Sequence, residues 1–358
     1  MLRVGLAGRE WGRRRELAFE ARLHAVTNVR RLSLGYNNVY LLHVDGTDVL
    51  VDTGPDYLGA EDVLIKATRT AWPDIIVATH GHLDHAGLAQ WWQGRGIPVS
   101  LGAGDEHFAS VAQFTDDAEF SAFERYVTGI GTPKDIAREV LHGLQQRRDW
   151  AQAAANEVRQ HGPPSRDGRW PSQLRYHHFV PDRVLKHGDL IEGSTLTVVA
   201  CPGHTPGNIV LVDTEEGWLF SGDQLLPELT PTPGIQRGVA PLSSENWRFA
   251  SLPRFLDSMT NLATMQFSYC WPGHGEPFTD VSEVISKNIA QIEQRTDRFQ
   301  QLLTEHGRAT VYDLCEFAYP RALKRRFWQI VATVQGHLDI LEERGLARQI
   351  DGEYEPIR

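Results

Sequence analysis

Cysteine is scarce in this chain. Cys201, Cys270 and Cys315 are the only three in 358 residues. They are too few and too far apart for a disulfide framework or a thiolate metal cluster, and a reducing cytoplasm is the simplest reading. No apolar run approaches the length a membrane span needs, so no membrane partner is expected. A surplus of positive charge is also missing. The formal net charge is −10, which counts against nucleic acid as a general partner. Arg3, Arg9, Arg13, Arg14 and Arg15 crowd the start, but Glu10, Glu16 and Glu20 are interspersed and no apolar stretch follows. Neither a secretory signal nor a transit peptide is expected there. Repeats and low-complexity tracts are absent. What is present, 41% hydrophobic and 23% charged residues, is ordinary globular composition, with length enough for one large core and a smaller second domain.

The first half reads as strands broken by turns. Val29–Leu34, Val39–Val44 and Asp48–Val51 are β-rich, a helix is expected over Ala60–Ala71, and Ile75–Ala78 is a short, wholly apolar strand of the buried kind. A helix over Gly87–Trp92 follows. From Asp105 to Lys186 the alternation stops, and Phe120–Thr128 and Pro133–Gln160 look helical, with a breaker at Gly162-Pro163-Pro164-Ser165. This stretch reads as a helical insertion. Strands resume at Thr195–Ala200, Asn208–Val212 and Trp218–Phe220. A Pro/Gly-rich loop (Pro227 to Pro241), a helix near Glu245–Met265 and a strand at Phe267–Trp271 come next. Beyond Pro277, helices over Val281–Glu305, Val311–Phe317 and Arg325–Glu343 precede a hairpin turning at Asp351-Gly352. Helix–helix–helix–hairpin is a winged-helix pattern. The expected division is a catalytic domain over residues 1–280, with the insertion at 105–186, and a winged-helix domain over 281–358.

Four separated segments end apolar strands on the same kinds of residue. His80-Gly81-His82-Leu83-Asp84-His85 packs three imidazoles and a carboxylate into six positions. His204 lies in the turn Cys201-Pro202-Gly203-His204-Thr205-Pro206-Gly207. Asp223 ends Phe220-Ser221-Gly222-Asp223, and His274 ends Trp271-Pro272-Gly273-His274. Imidazole and carboxylate suit zinc, and the flanking glycines let backbone approach an ion. Singly, His274 would be a surface histidine and Asp223 a turn former; together they make a metal site.

In motif order, from Arg31 to about Pro277, the sequence resembles the metallo-β-lactamase superfamily, whose hydrolases include glyoxalase II, lactonases, acyl-thioesterases and RNA nucleases. Asn38-Val39-Tyr40-Leu41-Leu42 and Leu50-Val51-Asp52-Thr53-Gly54 carry the resemblance further. It implies an α/β fold, an αββα sandwich with metals at one edge of two sheets. It also implies that His80, His82 and His204 bind one metal, that Asp84, His85 and His274 bind a second, and that Asp223 bridges them. Asp52 would steady the ligand loop from behind. The implied cofactor is two Zn2+, with iron or manganese as alternatives. A water shared by two such cations loses its proton near neutral pH, and the resulting hydroxide, oriented by Asp84, attacks a carbonyl or phosphoryl centre. Cys201 is expected to pack as a small apolar residue.

The aromatics of the insertion, among them His107, Phe108, Phe114, Phe120, Phe123, Tyr126, Trp150, Trp170 and Tyr176, serve either as a lid over a hydrophobic pocket or as the segment's own core. His177-His178 reads as a packed or solvated pair. Arg321, Lys324, Arg325 and Arg326 form a basic cluster, yet Ser286 to Arg358 holds eleven basic and eleven acidic residues, too neutral a balance to grip phosphate. The expected function is therefore hydrolysis of an ester or thioester in a small-molecule substrate. A metal-dependent endoribonuclease is the alternative, since an endoribonuclease of the superfamily carries a similar C-terminal module. A nucleic-acid-binding regulator with a vestigial site sits badly with a full ligand set, and an iron-dependent dioxygenase shares the ligand types. A homodimer is left open.

Overall fold

The computed structural model describes residues 29–357 apart from 36, 58, 69–71, 110–116, 155–176, 229, 232 and 239–246, and the side chains of 147 and 150–154 are also left aside. Strands β1 (Val29–Leu34), β2 (Asn37–Val44), β3 (Thr47–Val51), β4 (Ile75–Ala78), β5 (Val99–Gly102) and β6 (Arg183–Leu185) form a six-stranded sheet in that order. The pairings from β1 to β3 are antiparallel and those from β3 to β6 parallel. Strands β7 (Thr197–Ala200), β8 (Ile209–Asp213), β9 (Trp218–Gly222) and β10 (Tyr269–Pro272) form a second sheet, ordered β10-β9-β8-β7, with β9 and β10 parallel.

The central strands β3, β4, β5, β8 and β9 are largely buried because both faces of both sheets are covered there, whereas the edge strands β1 and β6 carry Arg30 and Arg183 at the surface. Along β3, Val49 and Val51 face the other sheet while Leu50 faces outward. Along β9, Trp218 and Phe220 face inward and Leu219 outward, and β10 repeats this with Tyr269, Trp271 and Cys270. Successive side chains point to opposite faces of a strand, so one short run feeds two cores. Tyr40, Val77, Leu211, Phe220 and Trp271 fill the space between the sheets. Helices α1 (Ala60–Ala67), α2 (Leu83–Ala86) and α3 (Ala89–Gln93) flank the first sheet, where Leu64 and Trp92 are buried against Leu50, Ile76 and Val99. The second sheet is covered by α6 (Ser251–Leu262) and α7 (Val281–His306) through Phe255, Met259 and Ile285. The layers are helix, sheet, sheet, helix.

Between β5 and β6 lie α4 (Asp117–Gly129) and α5 (Lys134–Ala154). After α7 come β11 (Ala309–Thr310), α8 (Val311–Ala318), α9 (Phe327–Glu343) and the hairpin of β12 (Ala347–Ile350) with β13 (Glu353–Pro356). Its turn residues Asp351 and Gly352 both have positive φ, 51° and 84°, as a two-residue hairpin turn of this kind demands. A capping box starts α8: the Asp313 amide donates to Thr310 Oγ1 at 3.1 Å while the Thr310 amide donates to Asp313 Oδ2 at 2.9 Å.

Three expectations change. The helix expected over Gly87–Trp92 is two short helices, the first beginning inside the histidine-rich motif with His82 as its N-cap. The helix expected from about Glu245 starts at Ser251. Pro253 has no amide to donate back to Phe249 and its ring excludes a helical turn before it, so it is tolerated only in a first turn. The insertion also packs differently. Val127, Ile130 and Ala137 share a core with Phe299, Val311, Val331 and Leu338, and Phe123 meets Trp247 and Trp328 at ring distances of 5.0 and 5.6 Å. Phe123 and Tyr126 thus pack with Trp247 and the C-terminal helices rather than within the insertion alone, while Phe108 lies 5.5 Å from the His82 ring. Phe114, Trp170, Tyr176 and the Gly162–Ser165 breaker lie outside the described residues. Among the described residues no helix is long and apolar enough to cross a membrane.

Candidate metal centre

The predicted ligands leave the C-terminal ends of strands from both sheets. His80 follows β4, His204 follows β7, Asp223 follows β9 and His274 follows β10. Asp84 and His85 sit on α2, just beyond its N-cap His82. All seven converge. Nε2 of His80 and Nε2 of His204 stand 3.0 and 3.1 Å from Nδ1 of His82. Across the cleft, Nε2 of His274 is 3.3 Å from Asp84 Oδ2, and Nε2 of His85 is 3.6 Å from the same oxygen. Asp223 divides its carboxylate between the groups: Oδ1 is 3.3 Å from both His85 and His274, and Oδ2 is 3.5 Å from His204. Three overlapping triads bring their ligand atoms within 4.8 Å of one another: His80, His82, His204; His80, His85, Asp223; and Asp84, His85, His274.

The donor set fits small divalent cations. Around a tetrahedral ion with bonds of about 2.0–2.1 Å, ligand atoms stand about 3.3 Å apart, close to the spacings here. Burial pushes the imidazoles of His80 and His82 down, and that of His204 down to about 3, so these rings are neutral donors at neutral pH. Two neutral ring nitrogens facing one nitrogen of His82 cannot all share a proton, whereas a cation among them satisfies all three. On the other side burial works against the charged forms but is outweighed. Asp52, Asp223 and Asp84 raise His85, Asp223 and Asp84 raise His274 to about 10, and Asp84 falls to about 2 beside His85 and His274. This half holds two carboxylates, Asp84 and Asp223, whose negative charge favours a cation beside His85 and His274. Gly273 completes the cradle: a Cβ there would lie 2.6 Å from the His85 ring and 2.9 Å from Asp223 Oδ1.

The rings are held from behind. Asp52 follows β3, with Oδ2 2.8 Å from His85 Nδ1 and Oδ1 accepting from the Thr79 amide at 2.7 Å and the Thr79 hydroxyl at 2.9 Å. Thr79 Oγ1 is in turn 3.2 Å from His80 Nδ1. Four further residues, to which the sequence assigned no role, support the ligands. Asp105 accepts from the Gly81 amide at 2.8 Å, the Thr205 hydroxyl at 2.6 Å and the Gly207 amide at 2.6 Å, tying two ligand loops together. Burial raises its carboxyl to about 6 in spite of those donors. Asn38 Nδ2 donates to the carbonyls of Pro272 and Gly275 around His274 at 3.0 and 2.8 Å. Asn37 Nδ2 is 3.4 Å from His85 Nε2, and Gln236 Nε2 donates to the His204 carbonyl at 2.9 Å. Two of them carried a signal: Asn38 opens the run Asn38-Val39-Tyr40-Leu41-Leu42, and Asp105 follows a strand and the run Gly102-Ala103-Gly104 as the ligands do. Cys201 and Cys270 are buried behind the second sheet, and burial pushes the Cys270 thiol up to about 12; neither supplies a donor. His177 stands 3.6 Å from Asp56 and joins none of the triads.

Residues 32–254 match the metallo-beta-lactamase superfamily. The chain is 26% identical over 311 residues to a probable metallo-hydrolase, YqjP, of Bacillus subtilis (strain 168), which spans 85% of this chain and 87% of that one. It is 30% identical over 200 residues to the acyl-coenzyme A thioesterase MBLAC2 of Gallus gallus, over 52% of this chain and 56% of the relative. A metallo-beta-lactamase family protein from Thermus thermophilus superposes with a TM-score of 0.67 at 24% identity, over 93% of this chain and 100% of that one. At that identity the likeness speaks for the fold alone. With a match that runs through more than half of its length, from the first sheet past the turn that carries Asp223, this chain belongs to the metallo-beta-lactamase superfamily of hydrolases.

Proposed function

We propose that the protein is a two-metal hydrolase, with zinc in both sites, that cleaves an ester or thioester bond of a small-molecule substrate. His80, His82 and His204 hold the first ion, Asp84, His85 and His274 the second, and Asp223 lies between them. The observation that carries this reading is the division of the Asp223 carboxylate, one oxygen toward each group of histidines. When bound, such a pair supplies Lewis acidity to the scissile group and lowers the pKa of water. The rest is done by the chain. Neutral His80, His82 and His204 donate lone pairs without a proton to lose, Asp84 offers a half-buried carboxylate oxygen at the mouth to orient water, and Asp52 and Thr79 keep the rings of His85 and His80 from turning. No serine or cysteine nucleophile is required.

The thioester class draws on the relative named an acyl-coenzyme A thioesterase and on the acidic chain. The same reading divides the chain near residue 280 into a catalytic domain and a winged-helix domain that packs on the insertion helices, without a nucleic-acid role. It places the protein, with three free buried thiols, in the cytoplasm. Elemental analysis of protein purified without added metal, followed by a panel of acyl thioesters, lactones and single-stranded RNA, tests it. About two zinc ions per chain with thioester or lactone turnover is the expected result. One iron per chain points to the dioxygenase chemistry, and RNA as the sole substrate to the nuclease.

A further inference from the structure

His204 is held unlike His80 and His85. The second ring nitrogen of His85 meets Asp52 and that of His80 meets Thr79. Nδ1 of His204 is buried and has no hydrogen-bond partner among the described residues, so nothing turns the ring directly and its aim is set by its backbone. Gln236 grips that backbone. Its buried Nε2 donates to the His204 carbonyl at 2.9 Å, with Ser251 Oγ at 3.0 Å and the Gly203 carbonyl at 3.4 Å.

Gln236 is fixed in turn from the far end of the chain. The Phe249 amide donates to the Gln236 carbonyl at 2.9 Å, and the Gly238 amide to the Trp247 carbonyl at 2.7 Å. Between Trp247 and Phe249, Arg248 reaches across to α9 and pairs with Asp339 through two bonds of 2.6 and 2.7 Å. Asp339 is 4% exposed and also accepts from Gln335 Nε2 at 2.9 Å. One turn away, α9 and α6 are so close that a Cβ on Gly336 would lie 2.7 Å from Leu252 Cβ. The link from Asp339 through the half-buried Arg248 and the buried Gln236 to His204 is short.

We propose that Gln236 is a positioning residue for the metal ligand His204 and that the Arg248–Asp339 pair holds Gln236 in place, so that helix α9 helps to set the first metal site. This rests on the two-metal reading above. The test is the rate at which full-length, metal-loaded protein gives up its ions to a chelator, read beside the absorption spectrum of the cobalt-substituted form. Gln236→Met and Arg248→Met should each release one of the two ions about 10-fold faster and alter the cobalt spectrum, and Arg248→Lys should recover part of the loss. Arg254→Met is the control, because Arg254 pairs with Glu343 between the same two helices at the surface. It should release both ions at the parental rate. Parental release from Gln236→Met and Arg248→Met, or equal acceleration in Arg254→Met, would overturn the proposal. Should Arg248→Met fail to fold, Gln236→Met, which removes no charge, decides alone. A parent protein unable to hold two ions would instead sink the two-metal reading.

Discussion

Asp52 places its Oδ2 2.8 Å from Nδ1 of His85 while its own backbone lies in the left-handed region, at φ 65°. That conformation costs a non-glycine residue about 1 kcal/mol, and such strain persists where surrounding contacts fix it at a functional site. Asparagine tolerates the same backbone but lacks the charge that holds the imidazole. Asp52→Asn should therefore keep the fold and lose about 10–100-fold in metal affinity. Chelator competition on the folded variant measures this, and unchanged affinity would remove the orienting role.

Asp84 separates chemistry from folding. Its carboxylate stands 3.3 Å from His274 and 3.6 Å from His85, at the mouth of the site. Asp84→Ala leaves six of the seven candidate ligands and all the apolar cores intact. Turnover should fall by at least about 100-fold while thermal unfolding stays cooperative. Near-parental turnover with folded protein would show that Asp84 neither orients water nor matters to the second ion.

The site was far more legible in the sequence than its supports were. His80, His82, Asp84 and His85 are compressed into one strand-to-helix turn, and each remaining ligand follows an apolar strand and a glycine, so local pattern alone exposes them. Gln236 acts through a carbonyl on a loop 32 residues earlier in the chain, a contact no local pattern encodes. The sheets were readable because alternation and apolar runs report burial directly. The packing of Val127 and Ile130 against Phe299 and Val331 was not, because an amphipathic helix declares an apolar face without naming what covers it. The start of α6 is set by Pro253, which composition alone does not register.

Acid should weaken the C-terminal helices through His337. Its ring is buried against Phe299 and bonded to Thr296 at 2.8 Å, and burial, with Arg295 adding to it, pulls the pKa down to about 3. In the unfolded chain a histidine protonates near 6.5. Between those values the unfolded state binds the extra proton, so stability is full above about pH 6.5 and is lost as pH falls toward 3. At pH 4.5 the loss from this one group is about 3 kcal/mol. Denaturant midpoints of the parent and His337→Gln at pH 7 and pH 4.5 isolate it. The variant should lose less stability over that interval, and an equal loss in both proteins would assign the acid sensitivity elsewhere.

RNA cleavage is decided by charge. Arg321, Lys324, Arg325 and Arg326 are exposed ahead of α9, the candidate cluster for phosphate contacts. A protein that neutralises phosphates releases counterions, so its affinity falls steeply with salt. The balanced charge of residues 286–358 and the net charge of −10 predict weak RNA binding at physiological ionic strength. A small thioester needs only the metal cleft. Changing all four residues to alanine should therefore leave thioester or lactone turnover within about 2-fold of the parent, since exposed charges of this kind contribute little to stability. RNA cleavage should be negligible before and after the change. Efficient, salt-sensitive RNA cleavage by the parent, lost in the quadruple variant while its fold persists, would make the nuclease the correct reading and give the C-terminal helices the task of holding the strand.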